Sequence, residues 1–134
     1  MRKEPVADRR KECRHKICID AQAITPKSSF EVLATNISGG GLEIQCPAII
    51  NPRTELMITL QLQEEFVFHG TVIWTLGDFV DKRWLYRVGI RTNSISFKDK
   101  SATSTKEKAE LVQRILPQIK AKGAGIGFAG QMYA

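Results

Sequence analysis

The sequence carries two groups of side chains that together could form a binding site. Arg10 and Arg14 stand four positions apart in a basic N-terminal segment. The planar arginine fork donates paired hydrogen bonds to phosphate oxygens and to the O6 and N7 acceptors of guanine, and its flat face stacks on purines. The second group is the run Asn36-Ile37-Ser38-Gly39-Gly40-Gly41, which begins after 21 intervening residues. Its amide and hydroxyl groups donate and accept hydrogen bonds, and its bare glycine backbone allows close approach.

The positive charge of the chain is concentrated at its N-terminus. Of a net charge of +6, residues 1–16 hold +4, from seven basic and three acidic side chains. This charge favours an anionic partner, and a nucleotide, a nucleic acid and an anionic membrane all fit. A basic tail alone would be read as a solvated segment. The position of the arginines relative to the glycine run is what favours ligand binding.

Each group also has an ordinary structural explanation. An Asn-Ser-Gly turn often has its side chains hydrogen-bonded to its own backbone. The alternative is that the Asn36 carboxamide oxygen accepts from guanine N1–H or N2–H, while Ser38 donates to a phosphate. Gly41 would then let a ligand or the arm come close to the backbone. The two groups in combination favour the binding interpretation.

Alternating apolar residues predict about six short strands. The alternating segments are 17–23, 30–34, 42–46, 56–62, 66–74 and 84–90. Short strands joined by brief turns indicate an antiparallel barrel or sandwich. Gly70 and Gly89 lie inside strands and indicate the bends or bulges that closing a small barrel requires. Glu64-Glu65 is predicted as a hairpin tip, and Gly77-Asp78 is predicted to open a loop.

The hydrophobic period changes to that of a helix over residues 104–122. Ser104 and Glu107 form a capping-box pattern. One apolar face is formed by Val112, Ile115, Leu116 and Ile119. Pro117 has no N–H for an interior hydrogen bond and predicts a kink or break near Leu116. The helix is expected to pack on the barrel.

The pairing of RxxxR with (D/N)xSxxG resembles the PilZ family, bacterial domains that bind cyclic di-GMP. Segments 70–74 and 86–90 are similar to later strands of that family, so the resemblance covers roughly residues 8–116. It implies a mainly β fold, a six-stranded antiparallel β-barrel with a C-terminal α-helix. It also implies a flexible basic N-terminal arm that folds over cyclic di-GMP on the barrel surface.

The resemblance also implies which residues bind the ligand. The family's binding positions correspond here to Arg10, Arg14, Asn36, Ser38 and Gly41. Asn36 stands where many members have Asp, and a neutral amide in place of a carboxylate would soften the contact with guanine. Arg9 directly precedes the motif, and in the family an arginine there accompanies a stacked pair of ligands. We therefore expect Arg9 to contact ligand as well.

The sequence predicts three parts: a basic arm at 1–15, a PilZ-like barrel with its helix at 16–122, and a flexible glycine-rich tail at 123–134. The predicted function is a stand-alone cyclic di-GMP receptor. Ligand binding would order the arm and change the surface shown to a downstream protein that controls motility, surface attachment or exopolysaccharide. No cofactor other than this ligand is expected.

Two other functions fit the sequence: a basic barrel that binds single-stranded nucleic acid, and an adaptor that kept the fold but lost the ligand. Nucleic-acid barrels usually display aromatic side chains on an exposed sheet face. Here the aromatics are predicted mainly on core faces; they are Phe66, Phe68, Trp74, Trp84 and Tyr86. The sequence shows no nucleophile–base pair, no converging carboxylates and no zinc-type Cys/His spacing, so neither an enzyme nor a metal site is predicted.

The expected location is the cytoplasm. The N-terminus is charged and lacks the apolar run of a signal peptide. No stretch approaches the roughly 20 apolar residues of a membrane span. Three cysteines form an odd number without a CxxC pair, which fits a reducing compartment better than a disulfide framework.

Overall fold

The computed structural model describes residues 14–123, which form seven strands and one helix. The elements are β1 (His15–Ile24), β2 (Ser29–Ile37), β3 (Gly41–Cys46), β4 (Glu55–Gln61), β5 (Glu65–Val80), β6 (Arg83–Phe97), β7 (Lys100–Ala102) and α1 (Thr105–Gly123). Residues 1–13 and 124–134 fall outside the described residues. They comprise most of the predicted arm (1–15) and of the predicted tail (123–134), so the predictions made for these two segments also lie outside.

The strands form one antiparallel sheet that closes on itself. The order is β3-β2-β1-β4-β5-β6-β7, and an additional β3–β6 pairing joins the two ends of the six-stranded part. This ring confirms the predicted antiparallel barrel. The short β7 was not predicted; it pairs with the end of β6 and lies outside the ring.

Alternate side chains of each strand fill the barrel. Ala23, Ile44, Ile58, Phe66 and Val88 are fully buried, and they come from five different strands. Burying one large apolar side chain stabilises a fold by about 1.5–3 kcal/mol. Burial of the apolar side chains at alternate positions therefore favours closure of the sheet.

Two irregularities in the β5–β6 pairing lie beside the predicted glycines. One register shift falls between His69 and Gly70, and the other between Val72 and Trp74, whose partner is Gly89. The second shift changes which face the following residues occupy. Val72 is buried in the core, whereas Trp74 lies on the outer surface of the barrel. The prediction that Trp74 lies on a core face was wrong because alternation does not reveal a bulge.

The outer part of the β5–β6 hairpin differs from the prediction. Gly77 and Asp78 do not open a loop; β5 continues to Val80, and the turn is at Asp81-Lys82. Trp84 was predicted in the core but is 55% exposed. Pairing of β5 with β4 ends at Thr71 and pairing of β6 with β3 ends at Tyr86. Beyond those points, β5 and β6 pair only with each other among the strands of residues 14–123, and Trp84 is exposed there.

The helix α1 begins with the predicted capping box. Ser104 Oγ accepts from the Glu107 N–H at 3.1 Å, and Glu107 Oε1 accepts from the N–H groups of Ser104 and Thr103, each at 3.2 Å. These backbone hydrogen bonds hold the pKa of the Glu107 carboxyl below its ordinary value. The box satisfies N–H groups that have no partner within the helix.

The predicted break near Leu116 does not occur, because α1 continues through Pro117 to Gly123. The helix is held to the barrel on both sides of the proline. Before it, Ile115 is fully buried and Arg114 binds Glu64 through two hydrogen bonds. After it, Gln118 exchanges hydrogen bonds with Glu64 at 2.8 and 3.0 Å. These contacts offset the hydrogen bond that the proline cannot make. Within residues 14–123, no helix has the length and apolarity needed to cross a membrane.

Candidate functional site

The β2–β3 turn carries the polar residues of the second motif. The Ser38 N–H donates to the Gly41 carbonyl at 2.9 Å, and Ser38 Oγ accepts from the N–H groups of Gly40 and Gly41 at 3.2 and 3.1 Å. The turn therefore has the hydrogen bonds to its own backbone that were expected from the sequence under the ordinary structural explanation of the motif. In both side-chain hydrogen bonds the Ser38 hydroxyl is the acceptor, so its O–H can still donate to a ligand.

Two glycines of this turn pack closely against the rest of the domain. A Cβ at Gly39 would lie 3.3 Å from the backbone of Ala109 in α1, and one at Gly41 would lie 2.7 Å from the Ile90 carbonyl oxygen in β6. The Gly40 carbonyl accepts from the Thr92 N–H at 2.9 Å. The turn is thus held between the helix and β6. A ligand-related role for Gly41 stays a prediction.

The register of the first hairpin brings the two motifs together. Strands β1 and β2 pair with His15 opposite Ile37 and Lys16 opposite Asn36. Extending this register by one residue places Arg14 opposite Ser38. The 21 residues that separate Arg14 from Asn36 in the chain are therefore the two arms of one hairpin and its turn.

An open cavity of about 280 Å³ lies on the outer surface of the barrel at this place. Four of the predicted site residues line it together: Arg14, Asn36, Ser38 and Gly41. Arg9 and Arg10 lie outside the described residues, so their positions relative to the cavity stay predictions. The binding role of the other four is likewise a prediction, but their convergence on one cavity is a structural fact.

The cavity has further lining residues that sequence reasoning missed, among them Trp74, Glu43 and Arg91. The half-buried Trp74 lies over Gly89, where an added Cβ would come within 2.2 Å of the indole ring. Gly89 is therefore needed to seat the indole. In the sequence, Gly89 stands out as a glycine among alternating large residues, which indicates a close approach by another group. That the group is Trp74 could be identified only from the register of β5 and β6.

Four of the residues that line the cavity lie in one row across the sheet, and with Lys16 this row crosses five strands. Lys16 is opposite Asn36, Asn36 is opposite Glu43, Glu43 is opposite Gly89, and Gly89 is opposite Trp74. Neighbouring strands are about 4.8 Å apart. The row therefore carries a cation, an amide, a carboxylate and an indole in order across the outside of the barrel.

The charges of the cavity are mixed. Arg14 and Arg91 are exposed cations, and Glu43 is an anion between them. Glu43 Oε1 accepts from Asn36 Nδ2 at 3.2 Å, and Glu43 Oε2 lies 3.8 Å from Arg87 Nη1. Ion pairs at this level of exposure contribute about 0–1 kcal/mol to stability. Their main effect is to hold the side chains beside the cavity in place.

The chain is a closed antiparallel barrel with an open cavity on its outer wall, lined by both polar and apolar groups. The family model of the PilZ domain matches residues 8–115. The match covers most of the chain, which therefore belongs to the PilZ domain family. A search of the curated proteins found no match.

Solved structures share the fold at low sequence identity. The PilZ domain of YcgR from Escherichia coli with c-di-GMP is 14% identical, has a TM-score of 0.60, and aligns with 89% of this chain and 98% of its own. MotI/DgrA, the inhibitor of motility of Bacillus subtilis, is 17% identical with a TM-score of 0.58, over 81% of this chain and 52% of its own. The MrkH–c-di-GMP complex of K. pneumonia is 12% identical with a TM-score of 0.57, over 84% and 55%. This chain thus spans about half the length of the MotI and MrkH chains.

Proposed function

We propose that this chain is a cyclic di-GMP receptor that passes the signal to a partner protein and is not itself an enzyme. The observation that supports this most is the convergence of Arg14, Asn36, Ser38 and Gly41 on one cavity of a PilZ domain. These are the described positions of the family's two motifs. Two of the similar solved structures are described as containing c-di-GMP, and a third as an inhibitor of motility. Motility is therefore the first process in which to seek the partner.

Each lining group has a part in the proposed binding. The Arg14 guanidinium forms a bidentate contact with a phosphate or with guanine O6 and N7. The Ser38 hydroxyl donates to a phosphate oxygen, and the Asn36 carbonyl oxygen accepts from guanine. The Trp74 indole offers a flat face for one base, which would be worth about 1–3 kcal/mol per stacked base.

The N-terminal arm completes the proposed site. Arg10 stands four positions before Arg14, and Arg9 precedes it directly, so an arm laid over the cavity would bring three arginines to the ligand. Two phosphates and two guanines in each ligand provide acceptors for all of them. We infer that the arm becomes ordered when ligand binds and that Arg9 supports a stacked pair of ligands. The ordered arm is then the changed surface that a partner reads.

Isothermal titration calorimetry with cyclic di-GMP tests this function. We expect binding by the wild type and a loss of at least about tenfold in affinity for Arg14→Ala, because a hydrogen bond to a charged group contributes about 1.5–3 kcal/mol. Arg83→Ala is the matched control, since Arg83 is exposed and does not line the cavity. A well-folded wild type that gives no heat would contradict the receptor and favour an adaptor that works without ligand.

The same titration tests the stacked pair. Two ligands per protein chain are expected for the wild type, and one for Arg9→Ala. One ligand per chain in the wild type would contradict the stacked pair but not the proposed receptor function.

One observation favours a second candidate, the binding of single-stranded nucleic acid. Phe79 and Trp84 are exposed and lie next to each other, with ring centroids 5.3 Å apart, beside Lys82 and Arg83 at the hairpin tip. Exposed aromatic and basic groups together are what base stacking uses. Fluorescence anisotropy with labelled oligo(dT) at physiological salt would detect it. Binding that is lost in Trp84→Ala but kept in Arg14→Ala would favour this candidate.

A further inference from the structure

Glu43 is the acidic side chain among the described residues that line the cavity. It lies in β3 directly opposite Asn36 of β2, and its side chain is 13% exposed. Asn36 Nδ2 donates to Glu43 Oε1 at 3.2 Å. An anion in a site for a phosphate-containing ligand needs a reason, because it repels the phosphates.

We propose that Glu43 binds guanine and supplies the carboxylate that position 36 lacks. Its two oxygens accept from N1–H and N2–H of one guanine of the ligand. Asn36 holds the carboxylate in place through its amide N–H. This inference rests on the proposed function, because it assigns a residue to the same ligand.

The chemistry of the two partners matches. Guanine presents N1–H and N2–H as adjacent donors on one edge, and a carboxylate presents two adjacent acceptor oxygens. The carboxamide of Asn36 has one acceptor oxygen and two N–H donors, so it can match only half of that edge. A hydrogen bond to a charged acceptor is also about twice as strong as a neutral one. A carboxylate therefore binds this edge of guanine more strongly than a carboxamide does, and Glu43 places a carboxylate beside Asn36.

The carboxylate has the capacity to take a further ligand. It has about four lone-pair sites, and the hydrogen bond from Asn36 uses one of them. Arg87 Nη1 is 3.8 Å from Glu43 Oε2, which is beyond hydrogen-bond distance. Arg87 instead donates from Nε to Asp78 at 3.2 Å. Both Glu43 oxygens can thus accept from a base without losing the contact with Asn36.

The row of residues across the sheet gives the base a place to lie. Gly89 separates Glu43 from Trp74, and the Trp74 indole lies over Gly89. A base stacked on the indole can be rotated in its own plane so that its N1–H and N2–H edge is directed along the row to the strand that carries Glu43. With strands about 4.8 Å apart, Glu43 is about 10 Å from the Trp74 backbone, a distance that the two side chains can close around one base.

The two positions depend on each other. An aspartate at position 36 would place two carboxylates on directly opposed residues, and like charges in that arrangement are destabilising. The amide of Asn36 avoids this repulsion and adds a hydrogen bond. The pair therefore carries one negative charge, located at Glu43 instead of at position 36.

The test is a cycle of variants titrated calorimetrically with cyclic di-GMP and with its inosine analogue, which lacks the N2 amino group. Glu43→Gln keeps an acceptor for Asn36 and the side-chain size but removes the charge. We expect it to bind cyclic di-GMP about tenfold or more weakly than wild type, and to lose most of the preference for cyclic di-GMP over the inosine analogue. Asn36→Asp alone should weaken binding, whereas Asn36→Asp in the Glu43→Gln background should restore it.

The outcomes separate this inference from the receptor function. Unchanged affinity and unchanged base preference in Glu43→Gln would overturn the role of Glu43 and leave the receptor standing, with Arg14→Ala as the reference for a lost contact. An equal loss of affinity for both ligands would show that Glu43 only supports the fold, and would also overturn it. Failure of the folded wild type to bind cyclic di-GMP would overturn both proposals. Circular dichroism melting of each variant identifies any loss of folding.

Discussion

The two ends of β5 contrast sharply. At the first end, the Glu64 side chain in the β4–β5 turn binds Arg114 and Gln118 of α1. There Phe66 is fully buried and its ring stacks on Phe97 with centroids 4.9 Å apart. At the other end, Phe79 is 62% exposed. Both ends carry large apolar side chains, so the difference teaches that burial depends on what the rest of the chain places over a strand.

The largest expected effect is the removal of a phenyl ring at the covered end. Phe66→Ala should lower the free energy of unfolding by about 3–5 kcal/mol, because it leaves a cavity in the closed barrel. Phe79→Ala is the matched control on the same strand and should cost less than about 1 kcal/mol. Urea unfolding measures both. Similar losses in the two variants would mean that the outer hairpin is covered in solution.

The next effect concerns the seat of Trp74. Gly89→Ala would place a methyl group 2.2 Å from the indole, so it should destabilise the protein by about 1–3 kcal/mol and weaken the binding of cyclic di-GMP. Gly77→Ala is the control, since its Cβ would meet the rings of Tyr86 and Trp84 at 3.2–3.3 Å in an exposed place. Adding Trp74→Ala to Gly89→Ala should recover most of the lost stability but not the binding. If it does not, the indole is not the group displaced.

The anchored end should respond to pH. Hydrogen bonds from Arg114, the largest cause, lower the pKa of the Glu64 carboxyl from its ordinary 4.5 to about 2. A depressed folded-state pKa adds stability above the unfolded pKa, and that stability is lost as the pH falls through the folded value. We therefore expect the stability difference between wild type and Glu64→Gln to shrink as the pH falls from about 5 to about 2. The exposed neighbour Glu65→Gln is the control, and a pH-independent difference for Glu64→Gln would contradict this account.

The smallest expected effect is at the tip of the outer hairpin, and it is stabilising. Asp81 and Lys82 have φ values of 51° and 67°, the left-handed region that a two-residue hairpin turn requires. Glycine adopts this region without a steric cost, so Lys82→Gly should raise the free energy of unfolding by about 0.5–1 kcal/mol. Lys82→Ala keeps the Cβ and should give no gain. Thermal melting distinguishes the two variants, and a gain in both would point to the lysine charge instead of the backbone.

Most of the fold could be predicted from local patterns. Alternation located the six strands of the ring because inward positions of a small barrel must be apolar. Ser104 and Glu107 marked the start of α1 because the capping box is a contact between close neighbours in the chain. Of the kink or break predicted at Pro117, the break does not occur, since the buried Ile115 and the contacts of Arg114 and Gln118 with Glu64 outweigh one missing hydrogen bond.

The residues of the candidate site also fall into two groups: those that the sequence predicted and those that only the structure revealed. Arg14, Asn36, Ser38 and Gly41 could be named from the sequence because their motif has a fixed spacing along the chain. Trp74 and Glu43 could not, because they join the cavity through cross-strand pairing with Gly89. Trp74 also reaches the outer face only through the bulge that follows Val72.

By itself, the sequence determined the strand pattern, the capping box and the motif that marks a PilZ domain, because each depends on residues close together in the chain. The tertiary structure decided which side chains meet in the cavity, and that Phe66 is covered while Phe79 is not. Those outcomes depend on register, bulges and closure of the ring. Register sets which residues of distant strands lie opposite each other, and a shift of one residue moves a side chain to the other face of the sheet.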